Sequence, residues 1–152
     1  MWGGKHLFTF IGGGAAGAAQ SMASTGDKHI FTIPFRCRPI RCGLTITTLT
    51  NSTGNIVVKF DRRPTAGSDG SRGDGDVGTL TIATAKAAGV CYYENTDYVA
   101  AGTGSWVATL DEGEQVVVQV ITAATTAGEG IPWLLVEVDP EQPANNSAMV
   151  AG

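Results

Sequence analysis

The chain is short of charge, histidine and cysteine, and each shortage narrows what it can do. Charged residues make up 16% of the 152, and no Lys or Arg follows Lys86. The formal net charge of -4 argues against a nucleic-acid partner, which needs a basic surface to displace counterions from phosphates. Two histidines, His6 and His29, leave few ways to build a Ser-His-Asp triad. Both sit in or at the start of apolar strand-like runs, where a structural role outweighs that of a general base. Three cysteines (Cys37, Cys42, Cys91) make a poor disulfide framework, and Cys37 and Cys42 lack the companion pair a zinc site requires; buried thiols are the plain reading. No Gly-x-Ser-x-Gly elbow, Walker loop or His-Glu-x-x-His occurs, and Gly12-Gly13-Gly14 has neither the spacing nor the following helix of a dinucleotide site. No catalytic, cofactor-binding or metal-binding residue is therefore assigned, and the expectation is a protein that is not an enzyme. No apolar run approaches the length of a membrane span, so no membrane partner is expected. The opening of the chain, basic, then apolar, then small, imitates a secretory leader crudely, because three glycines break its apolar part.

What the chain has is glycine (21 residues) together with Thr and Val in short alternating runs, a composition that favours strands and turns over helices. Two runs stand out. In 114–121 Val116, Val118 and Val120 share one face of a period-two ladder, with Gln115, Val117 and Gln119 opposite. In 131–138 Leu134, Val136 and Val138 do the same, which turns Trp133 to the other face. Both read as antiparallel sandwich strands, entered through Asp111-Glu112-Gly113 and Gly128-Glu129-Gly130.

Further strands are expected at 5–11, 29–35, 41–50, 55–60, 79–84, 90–93, 98–101 and 105–110, with one helical turn over 85–89. The runs 41–50 and 55–60 flank Asn51-Ser52-Thr53-Gly54 and read as a hairpin. Eight or nine strands with close-set turns predict an all-β single β-sandwich, jelly-roll-like, with an immunoglobulin-like order as the alternative. Residues 1–28 read as an N-terminal arm with a Gly/Ala-rich segment, 29–139 as the sandwich, and 140–152 as an extended tail whose Pro140 and Pro143 oppose ladder pairing.

The polar loop Asp61–Gly78 contains Arg72-Gly73-Asp74, the tripeptide integrins read, and Asp69, Ser71, Asp74 and Asp76, oxygen donors suited to calcium. The tripeptide is common by chance and the acids lack EF-hand order, so solvated turn chemistry is the better reading. Charge is also polarised along the chain. Residues 1–86 carry ten bases against five acids, whereas 87–152 carry nine acids and no base. Either neighbouring copies complement one another, or the two halves interleave within one sandwich.

The aromatics Trp106, Trp133, Tyr92, Tyr93 and Tyr98 could line a sugar-binding face or fill core and subunit contacts. Trp2, Phe8 and Phe10 on the arm, with the outward Trp133, are the candidates for a subunit interface.

One stretch also has a family likeness. The order Gly78-Thr79-Leu80-Thr81-Ile82, Ala87-Ala88-Gly89-Val90 with Tyr92-Tyr93, Leu110-Asp111-Glu112-Gly113-Glu114-Gln115-Val116, Ile121-Thr122-Ala123-Ala124 and Val136-Glu137-Val138-Asp139-Pro140-Glu141-Gln142-Pro143-Ala144-Asn145-Asn146 resembles capsid decoration (cement) and related virion proteins of tailed bacteriophages. The resemblance spans just under half of the chain. It implies a non-enzymatic virion protein, assembled in the host cytoplasm, that sits on the phage head as a homo-oligomer, often a trimer, and bridges major capsid protein subunits. A tail, fibre or baseplate component and a carbohydrate-binding β-sandwich module are the alternatives.

Overall fold

Alternation of small β-formers dictates strands, and a computed structural model of the chain places them. It describes residues 6–12, 19–51, 54–63, 76–83, 86–95, 109–124 and 126–138. Within these the protein is all-β, without a helix. The strands are β1 (Leu7–Ile11), β2 (Gln20–Ser21), β3 (Gly26–Thr32), β4 (Cys37–Asn51), β5 (Ile56–Arg63), β6 (Asp76–Ile82), β7 (Cys91–Asn95), β8 (Gln115–Thr122) and β9 (Ala127–Val138). They form two antiparallel sheets. The first runs β1-β9-β4-β7, with β2 also pairing to β9; the second runs β3-β8-β5-β6.

The two alternating runs become the inner strands β8 and β9. They do not pair with each other, because each lies in the middle of its own sheet: β8 between β3 and β5, and β9 between β4 and the β1/β2 edge. Val116, Val118 and Val120 face Leu134 and Val136 across the sandwich, all in one buried core with Phe60, Leu44, Ile46, Ile56, Val58, Leu80 and Ile82. Burying a branched side chain of this size contributes about 1.5–3 kcal/mol, so the inward set supplies most of the driving force. Val117, on the outward face, is buried as well. It lies between Ile30 and Asp61 in register, with Lys59 and Arg63 on the same face one pleat to either side, and aliphatic stems of that kind shield apolar surface.

The hairpin expected from 41–50 and 55–60 is corrected by the structure. β4 pairs with β9 and β7 in the first sheet, whereas β5 pairs with β8 and β6 in the second, so the chain between Asn51 and Ile56 crosses from one sheet to the other. Both strands point their apolar residues inward, and two such faces bury each other better stacked than side by side. Among the described residues the only pairing of consecutive long strands is β5 with β6; residues 64–75 between them lie outside those described. Residues 61–63 and 76–78 of the expected loop belong to these two strands.

The expected arm is partly built into the body. β1 pairs with β9 from Leu7↔Glu137 to Ile11↔Trp133, and β2 pairs farther along the same side of β9, at Gln20↔Gly130 and Ser21↔Glu129. Leu7–Ile11 and Gln20–Ser21 therefore form one edge with the Gly/Ala-rich segment inserted between them. The helical turn expected over 85–89 is a plain turn at Ala88 and Gly89, where Gly89 takes φ 87°, a conformation outside a right-handed helix. The strand expected at 98–101, residues 105–108 of the one expected at 105–110, and the tail lie outside the described residues; of the remainder, Leu110 forms an isolated bridge to Cys37.

The charged halves interleave within the sandwich. Arg38 pairs with Glu137 at 2.9 Å, Arg36 with Asp111 at 3.5 Å and Arg62 with Glu114 at 2.6 Å, each joining a base of the first half to an acid of the second. Arg62 holds both carboxylate oxygens of Glu114, Nε donating to Oε2 at 3.0 Å and Nη2 to Oε1. Glu114 Oε2 also accepts the Asp111 N–H at 2.9 Å, which closes the turn into β8.

Candidate functional site

An edge strand flanked by apolar surface is the most unusual chemistry on this molecule. β1, Leu7-Phe8-Thr9-Phe10-Ile11, is apolar on both faces save Thr9. Its even residues point into the gap between the sheets. There Phe8 meets Phe10 (ring centroids 4.9 Å apart) and Phe35 (5.6 Å), Phe10 stacks on Phe35 (6.0 Å), and Phe31 of β3 closes the row at 6.2 Å from Phe10. His29 packs edge-on to Phe31 at 4.6 Å, and burial there lowers its pKa below the ordinary histidine value. This seam of aromatics seals the β1/β3 side of the sandwich and fastens the edge to the body. Phe8 is still 46% exposed.

The odd residues of β1 point outward and begin a second feature. In register, Ile11 lies beside Trp133 of β9, Trp133 beside Gly43 of β4, and Gly43 beside Tyr93 of β7. Gly43 is required by this row: a Cβ there would lie 2.1 Å from the indole carbons Cε2 and Cζ2 of Trp133. The indole thus lies over bare backbone, with the Tyr93 ring 6.5 Å away and the Arg41 guanidinium 4.8 Å above that ring. Ile11 is 69% exposed, Leu7 59% and Tyr93 54%, so the row is open to solvent at both ends.

The four sheet edges differ in how they resist pairing with another chain. Natural edges are blunted by charge, bulges or shortness. β3 carries Asp27 and Lys28 and a register shift between Asp27 and His29. Asp27 accepts from Arg63 at 2.9 and 3.2 Å and from Gln119 at 2.6 Å, bonds that lower its pKa below the usual carboxylate range. β6 opens on Asp76, where its pairing with β5 shifts register. β7 has five residues and ends in Glu94-Asn95. β1 has no charge, proline or bulge, and among the described residues no strand pairs with its outer side.

Of the four interface candidates from sequence, the structure places Phe8 and Phe10 in the aromatic seam and Trp133 on the outer row; Trp2 lies outside the described residues, as does Trp106. Sequence reasoning missed Leu7, Ile11 and Gly43 as parts of the surface. Alternation marked the first two as facing opposite to Phe8 and Phe10. Which side is solvent depends on the neighbouring strand.

Reactive chemistry is sparse here. Among the described residues no three of His, Cys, Asp and Glu converge to hold a metal ion. Cys37 and Cys42 are buried free thiols and Cys91 is exposed. Burial, with the charges of Glu114 and Asp111, pushes the Cys37 thiol up to about 12, which leaves it protonated and inert as a nucleophile. Arg72-Gly73-Asp74 and the calcium candidates Asp69 and Ser71 lie outside the described residues. No helix among the described residues is long and apolar enough to cross a membrane. Compared with family models, characterised proteins and solved structures, the chain matches none.

Proposed function

We propose that this chain is a non-enzymatic virion structural protein of jelly-roll type that decorates and stabilises an assembled phage head, with major capsid subunits and copies of itself as its partners. The observation that carries this reading is the solvent-open apolar surface of β1, continuous with the Ile11–Trp133–Tyr93 row and set on a two-sheet body with one buried core. The strand orders β1-β9-β4-β7 and β3-β8-β5-β6, with six of the eight connections between the described strands crossing between sheets, support a jelly roll over an immunoglobulin-like order, and that architecture is common among shell proteins. The mechanism is linkage. A protein that buries apolar surface only against the assembled shell stabilises that state, at about 25 cal/mol per Å² for each copy. The test is co-sedimentation with purified shells. The variant Ile11→Asp/Tyr93→Ala alters two exposed positions and leaves the core intact; it should lose shell binding at unchanged thermal midpoint, and full binding by this variant sinks the proposal.

The Trp133–Tyr93 pair beside Arg41 favours a second reading, a carbohydrate-binding module, since sugar rings stack on such platforms. Saturable glycan binding by the protein alone, abolished by Trp133→Ala, is its signature.

A further inference from the structure

The hydrogen-bonding phase of β1 says which backbone groups are open. Gly12 N–H donates to the Pro132 carbonyl at 2.7 Å and Val138 N–H donates to the His6 carbonyl at 2.8 Å. With the register of β1 on β9, this makes the even residues of β1 the ones whose amides face β9. The amides of Leu7, Thr9 and Ile11 point away from the body.

We infer that β1 is a self-pairing edge: it adds antiparallel to β1 of a second copy, with the two-fold axis at Thr9. Three features of the strand fit this partner. First, the sequence reads nearly the same in both directions, Leu-Phe-Thr-Phe-Ile, so a two-fold at Thr9 sets Leu7 against Ile11 of the other copy, Phe8 against Phe10, and Thr9 against Thr9. An isologous contact needs such self-complementarity. Second, this register matches the open amides: Thr9–Thr9 and both Leu7–Ile11 pairs are the hydrogen-bonded pairs, giving about six inter-strand bonds, whereas Phe8–Phe10 falls in the close, non-hydrogen-bonded positions where side chains pack best. Third, the charges are compatible. His6 falls opposite Gly12 of the other copy, and the strand itself has no charge to oppose its own image.

The two first sheets would then run on as one, carrying the outer apolar row from copy to copy. The contact is small, so association depends on concentration and belongs with weak interfaces until a lattice multiplies it. The inference is independent of shell binding, because it concerns the free protein. It also favours even-numbered assembly over the trimer that the phage resemblance implies.

Sedimentation velocity of the full chain should show a concentration-dependent monomer–dimer equilibrium. Thr9→Pro removes an outward N–H that the β9 ladder does not use, so the fold should persist while dimerisation weakens about tenfold or more. Thr9→Lys sets like charges across the axis, and high salt should restore part of the loss. Crosslinking checks the register. In a Cys91→Ser background treated with diamide, Thr9→Cys should give a covalent dimer, because hydrogen-bonded partners lie about 5.5 Å apart between Cα atoms. Leu7→Cys alone should give none, its copies being roughly 14 Å apart along the ladder, and Leu7→Cys mixed with Ile11→Cys should give a mixed dimer. A protein that stays monomeric at millimolar concentration, a dimer indifferent to Thr9→Pro and Thr9→Lys, or a covalent dimer from Leu7→Cys alone overturns the inference.

Discussion

Gly43 shows how much one missing side chain can organise. It lies between Trp133 and Tyr93 in register, and the space a Cβ would occupy is taken by the indole. Gly43→Ala must push Trp133 out of its bed, because the β4 backbone is held on both sides by β9 and β7. The expected cost is about 1 kcal/mol, at the low end for overpacking since the indole can swing toward solvent. The more specific sign is a shift of the Trp133 indole N–H resonance, assigned by Trp133→Phe. An unmoved resonance would mean that the ring does not rest on Gly43. The glycine is visible in the sequence; its reason is not, because the three residues of the row are 40 to 90 positions apart.

Among elements, the pairing of β1 to the body depends on the aromatic seam with β3 and Phe35, and this is where acid should act first. His29 has its pKa lowered by burial against Phe31. Above the ordinary value of 6.5 the ring is neutral folded or unfolded, and it contributes nothing to pH dependence. As pH falls below 6.5 the unfolded chain takes up a proton that the folded one resists, so stability declines until the depressed pKa is passed. Asp27 also loses stabilisation in acid, but from its ordinary value of 3.8 downward, a separate window. The thermal midpoint should therefore fall between pH 7.5 and 5, and His29→Gln should flatten that part of the profile. A wild-type profile without this slope would show that His29 is solvated in solution. The alternation that made β1 and residues 29–32 of the expected 29–35 run strands was legible in the sequence. That their phenylalanines meet was not, since the two strands belong to different sheets.

For the whole molecule, the order of strands welds the first and second halves of the chain together. β8 and β9 come late in sequence and lie central in space, and Arg62–Glu114 ties the halves at one end of the sandwich, its side chains 10% and 3% exposed. Glu114→Gln removes the carboxylate charge from a largely buried bidentate ion pair, for an expected loss of about 3 kcal/mol in denaturant unfolding. Replacing the pair together, Arg62→Met with Glu114→Leu, should lose less, because no charge is then stranded. Equal losses would mean that packing and not charge is what Glu114 contributes. Part of the charge polarity along the sequence, which left contact between copies open, is used within one chain: Arg36, Arg38 and Arg62 pair with Asp111, Glu137 and Glu114.

Period-two patterning by itself determined that the chain folds as strands, which residues of 114–121 and 131–138 point inward, and that Trp133 faces away from Leu134 and Val136. These are local facts, set by a backbone that turns successive side chains to opposite faces. Only the tertiary structure decided that 41–50 and 55–60 lie in different sheets, that Leu7–Ile11 and Gln20–Ser21 of the expected arm form a sheet edge, and that Ile11, Trp133, Gly43 and Tyr93 align. Register and partner choice arise from burying whole faces against each other, an energy that no short stretch of sequence contains.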